Sequence, residues 1–114
     1  MPNTFVRTIT PYVKERNSIT LTAYFRDSSN AASAPTTAHY RIDDITTETA
    51  ITAWTSLTPG ASIDITIKSA ENRIIDQSNE RERRQITVSA DKGTTTETRD
   101  TYQYFIENIG AYDE

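Results

Sequence analysis

Glu80-Arg81-Glu82-Arg83-Arg84 is the densest run of charge in the chain. Guanidiniums grip carboxylates and phosphates through fixed forks of N–H donors, so this stretch has the residue types of an anion contact. Counting by twos back from Ile86 and Val88, Glu82 and Arg84 share the inward parity, near enough to the sheet end for their heads to reach water. Arg81, Arg83 and Gln85 share the outward parity with Thr87. Two arginines therefore stand side by side on one face, either as a solvated strand shoulder or as a protein-contact patch. A nucleic-acid site sits poorly with a formal charge of −4 and a pI near 5.0, because phosphate binding rests on excess Lys and Arg.

Catalytic constellations are harder to assemble. His39 is the single histidine and falls on the polar face of a strand, where a solvent-facing or interface role is expected. There is no glycine-flanked serine to pair with it in a hydrolytic triad. The acidic residues are expected at outward strand positions or in loops, with no water-poor cleft for acid–base work. Asp43 and Asp44 with Glu48 could ligate calcium, but the spacing lacks the tight-turn glycine of an oxygen cage and reads better as a solvated hairpin rim. Three glycines in all leave no phosphate-cradling loop, and the absence of cysteine removes thiol nucleophiles, thiolate metal sites and disulfides. No enzyme activity, cofactor or metal is expected.

Aromatic residues offer a different chemistry, that of contact surfaces. Trp54 falls on the face opposite Ile51, Ala53 and Leu57. Either a bulge slips the register and Trp54 fills the core, the preferred placement, or it is an exposed anchor at an interface. Tyr102 and Tyr104 share a core-facing parity that leaves Phe105 outward, where it suggests a neighbour. Phe5 at the N-terminus has the same ambiguity between a first strand and a docking arm.

The elements that must position these groups read as strands. About one residue in six is threonine, the apolar set is rich in Ile and Tyr, and leucine occurs only at 21 and 57. "SITLTAYFRD" alternates Ile19, Leu21, Ala23 and Phe25 against Thr20, Thr22, Tyr24 and Arg26. "TTAHYRIDDI", "TAITAWTSL", "ASIDITIKS", "RRQITVSADKG" and "TRDTYQYFIENI" follow, with "FVRTITPYVKE" as a first strand interrupted by Pro11 that lies at an edge or switches sheets. "SAENRIIDQSN" breaks the alternation and is expected to cross over with one short helical turn. Seven strands at near-regular spacing predict an all-β, seven-stranded immunoglobulin-like or fibronectin-like sandwich, a single domain over residues 1–114. The longest connections follow the second and fifth strands, where the chain is expected to change sheets, and the tighter ones are expected to be hairpins. No stretch approaches the roughly 18 apolar residues of a membrane helix, and "MPNTFVRTIT" lacks a secretory pattern.

The succession "AHYRIDDITTETAITAWTSL", "ASIDITIKSAENRIID", "NERERRQITVSAD" and "YQYFIENI" resembles the small immunoglobulin-like structural proteins of tailed bacteriophage particles. There a Y-R-I-D-D strand leads to a W-T-S hairpin partner, a short I-x-I strand, an N-x-x-I crossover and a final Y-x-Y-x-I-x-N strand. The resemblance covers about residues 19–109 and is one of pattern. It implies a virion component, made in the host cytoplasm, that packs in many copies or as a homo-oligomer against capsid, neck or tail subunits, with no membrane or nucleic-acid partner. A capsid decoration or cement protein and a neck or tail accessory are equally compatible with it. On this reading the contact residues are Phe5, Arg7, Trp54, Arg81, Arg83, Thr95, Arg99, Phe105 and Tyr112. The alternative is a carbohydrate- or receptor-binding sandwich using Trp54 and the loops around Asn30 and Thr95, which predicts coplanar exposed aromatics in a groove. The structural role instead predicts apolar residues spread over flat patches.

Overall fold

Alternating apolar and polar residues can bury one strand face and hydrate the other, and that arithmetic governs the architecture. The computed structural model describes residues 3–7 as backbone and residues 12–109, with side chains from residue 13 onward. One antiparallel sheet contains β1 (Asn3–Arg7), β3 (Ile19–Arg26) and β6 (Ser62–Ile67), in the order β1-β3-β6. The other runs β2-β8-β7-β4-β5, with β2 (Tyr12–Lys14), β8 (Thr98–Glu107), β7 (Arg81–Ala90), β4 (Ala38–Asp44) and β5 (Thr49–Leu57). All seven expected strands are present, and the first is divided: β1 pairs antiparallel with β3, whereas β2 pairs parallel with β8 in the opposite sheet.

The two sheets share one core. Leu21, Ala23 and Phe25 of β3 and Ile63, Ile65 and Ile67 of β6 come from one side. From the other come Ala38 and Ile42 of β4, Ile86, Val88 and Ala90 of β7, and Tyr104 and Ile106 of β8. Each fully buried Leu, Ile, Val or Phe side chain among these contributes about 1.5–3 kcal/mol, so the inward parity of β3, β6 and β7 holds their registers in place. The chain is all-β and sandwich-like, with the helical turn of the crossover present as a 3-10 turn over Ser69–Asn72.

Two expectations need correction. The link from β5 to β6, residues 58–61, is short and yet passes between sheets, so tight connections are not all hairpins. β5 also lacks simple alternation. Tyr40 pairs with Thr55 and Ile42 with Thr52, which sets Ala53 and Trp54 together against Arg41, and a second shift follows because Asp43 pairs with Ala50. Each shift inserts one extra residue. The anticipated bulge is therefore real, but Trp54 does not enter the core: it stays partly exposed, and Ala53 is exposed rather than inward.

Candidate interaction surface

The outward-facing residues of the five-stranded sheet gather two clusters of aromatic and cationic side chains. The first is built on Trp54. The guanidinium carbons of Arg99 and Arg41 lie 5.0 and 5.7 Å from its ring centroid, and Lys92 Nζ lies 5.3 Å away. Such geometry is attractive through the ring quadrupole. Both arginines are also neutralised. Arg41 donates from Nε and Nη2 to Asp43 at 2.9 and 2.7 Å, and Arg99 donates from Nε to Glu97 Oε2 at 2.6 Å. The same Glu97 oxygen accepts from Ser89 Oγ at 2.6 Å. The Ser89 hydroxyl first, and then Arg99, holds the Glu97 carboxyl down at about 2. Thr87 and Ser89 are buried although they point outward by parity, so this end of the face has a small packed layer of its own.

The second cluster is built on Phe105. Arg83 stands opposite it in the β7–β8 ladder and Arg81 two residues along, and each guanidinium carbon lies 5.2 Å from the ring centroid. Phe105 is half-buried, whereas both arginines are exposed. Arg99 and Phe105 stand six positions apart along β8, about 20 Å of strand. Between them the face is polar, with Gln103 Nε2 donating to Gln85 Oε1 at 2.9 Å.

Of the expected contact residues, the structure therefore joins Trp54 with Arg99, and Phe105 with Arg81 and Arg83, all on one face. Thr95 is exposed in the loop joining β7 to β8, near the Trp54 end. Phe5 and Arg7 lie in β1, paired through the backbone with Tyr24 and Thr22 in the other sheet, so their strand is not part of the five-stranded sheet. Tyr112 lies outside the described residues. His39 stands opposite Ser89 and Ser56, and its Nδ1 is buried with no hydrogen-bond partner among the described residues. Asp43 and Asp44 diverge, one outward to Arg41 and the other inward to Arg84, so they do not converge on a cation with Glu48.

What parity alone could not reveal is a fully buried ionic cluster at the end of the sandwich. Glu82 and Arg84 point inward as expected, but their heads do not reach water. Arg84 donates from Nε to Asp44 Oδ2 at 2.6 Å, from Nη1 to the Glu71 carbonyl at 2.5 Å, and from Nη2 to the Arg73 carbonyl, with Glu82 Oε1 3.5 Å away. Glu82 accepts from the backbone N–H groups of Ile75 and Asp76 at 2.7 and 2.9 Å and from Asn79 Nδ2 at 3.1 Å. Glu15, also buried, accepts from Ile74 N at 3.1 Å. Tyr104 donates its hydroxyl to Asn72 Oδ1 at 2.9 Å, and burial pushes its phenol well above the ordinary value. The acidic residues are thus not confined to outward positions and loops. Three of them fasten the crossover 69–80 and the β4–β5 turn over the end of the core, because their oxygens satisfy backbone donors that no sheet could.

Two shallow grooves flank the β4–β5 hairpin, of about 450 Å³ beside Arg41, Ile45 and Glu48 and about 400 Å³ between Thr49–Ile51 and Ala70–Ile75. Neither takes in Trp54 or Phe105. No protein-family model matches the chain, and no curated protein matches it.

Proposed function

We propose that this chain is a non-enzymatic, immunoglobulin-like structural protein of a tailed-phage virion, acting through protein contacts made by the outward face of its five-stranded sheet. The observation that carries this reading is the pair of aromatic–arginine clusters on that face, since aromatic residues and arginine dominate the energetics of protein interfaces. The strand order supports the immunoglobulin-like part: β1-β3-β6 corresponds to A-B-E, and β8-β7-β4-β5 to G-F-C-C′. The virion setting rests on the sequence resemblance, and a fold of this kind hosts many other functions. A sugar-binding role is less well supported, because the Trp54 ring has three cations over it where a stacking platform needs an open face.

Sedimentation of the purified protein, alone and mixed with emptied heads or with tails of the phage that encodes it, tests the reading. Co-sedimentation with heads assigns a decoration role and with tails a tail role. A protein that stays free of both overturns the virion assignment.

A further inference from the structure

The two clusters differ in charge balance. At Trp54, Arg41 and Arg99 each have a carboxylate, Asp43 and Glu97. At Phe105, neither Arg81 nor Arg83 forms an ion pair among the described residues, and Glu107, which faces Arg81 across the ladder, does not close on it. Two exposed guanidiniums thus share one ring on a chain whose overall charge is −4. A guanidinium drawn to a ring by its quadrupole still has N–H donors to offer a carboxylate in bidentate bonds. The ring also holds both side chains in place, lowering the entropy lost when they engage a partner.

Alternate residues of a strand point to the same face about 7 Å apart. Two carboxylates at alternate positions of an extended segment have the same spacing. We propose that Arg81 and Arg83 dock an extended acidic segment of a partner protein that carries Asp or Glu at alternate positions, each carboxylate taking one guanidinium edge while Phe105 packs beneath. This rests on the reading of the face as a contact surface and names the chemistry of its partner. Single-stranded nucleic acid also spaces its phosphates regularly, but its affinity rests on neutralising many phosphates along the strand, and this patch offers two guanidiniums.

Fluorescence anisotropy with two labelled peptides of equal composition tests the proposal, one with two glutamates separated by a single threonine and one with two threonines between them. The wild-type protein should bind the first at least about fivefold more tightly, the scale of one exposed ion pair, and more weakly as salt rises. Arg81→Gln with Arg83→Gln should abolish that preference while the protein still unfolds cooperatively in urea, with only the small loss of two exposed ring contacts. As a charge swap, Arg81→Glu with Arg83→Glu should instead bind the lysine version of the first peptide. Equal binding of the two spacings, retention of the preference by the Gln variant, or tighter binding of oligothymidylate than of either peptide overturns the proposal. Particle co-sedimentation of the same Gln variant separates the two claims: undiminished association alongside lost peptide binding sinks only the acidic-segment proposal, whereas wild-type protein that binds the peptide but no particle sinks only the virion setting.

Discussion

Arg84 donates from Nε to Asp44 Oδ2 across 2.6 Å, with neither side chain exposed to water. The remaining Arg84 donors go to carbonyls of the crossover, so the cation ties β7 to β4 and to the 69–80 segment at once. Removing one partner leaves a buried charge without compensation. Asp44→Ala should therefore cost about 3–5 kcal/mol in urea unfolding, whereas Asp44→Leu combined with Arg84→Met should cost less than the single change. A loss below about 1 kcal/mol for Asp44→Ala would contradict the burial of the pair.

Glu97 gives the fold a signature in acid. Its carboxyl stands at about 2 instead of the ordinary 4.5, held down by the Ser89 hydroxyl and then by Arg99. The folded state thus favours the carboxylate, so the stabilisation is complete above the ordinary value and disappears as pH falls from about 4.5 toward about 2. A side-chain carbonyl titration by NMR should show the depressed midpoint in the wild type and a rise toward 4.5 in Ser89→Ala. An unchanged midpoint in that variant would remove Ser89 as the cause.

Placement of the two large aromatic side chains is separable by stability. Phe25 is fully buried between the sheets, and Phe25→Ala should cost about 3–5 kcal/mol. Trp54 rests on the outer face among cations, and Trp54→Ala should cost about 1 kcal/mol. Comparable losses for the two, measured by chemical denaturation, would return Trp54 to the core.

These particulars show what period two can and cannot convey. Strands β3, β6 and β7 were legible because strict alternation selects one buried face, and the outward pairing of Arg81 with Arg83 follows from the same count. β5 was read as the strand it is, but which of its residues face the core was not, because its two bulges depend on the partner strand and leave no mark in its own composition. For Glu82 and Arg84 the direction was readable, but their burial depends on residues 69–80 folding over them. The Trp54 cluster likewise draws Arg41, Lys92 and Arg99 from three separate segments, and only the β4-β7-β8 pairing brings them together.

The proposed contact role of the five-stranded sheet's outer face, in the proposed virion setting, is tested most directly by competition for particle occupancy. Wild-type protein and Arg81→Glu with Arg83→Glu, mixed in equal amounts and sedimented with the phage particle, should partition so that the variant is depleted at least about tenfold, as expected where two charges at a contact are reversed. The variant should remain folded and lose only about 1–2 kcal/mol in urea unfolding, the scale of two exposed ring contacts, since both side chains are exposed. Equal occupancy by the two proteins would contradict the claim and leave the arginines as a solvated strand shoulder.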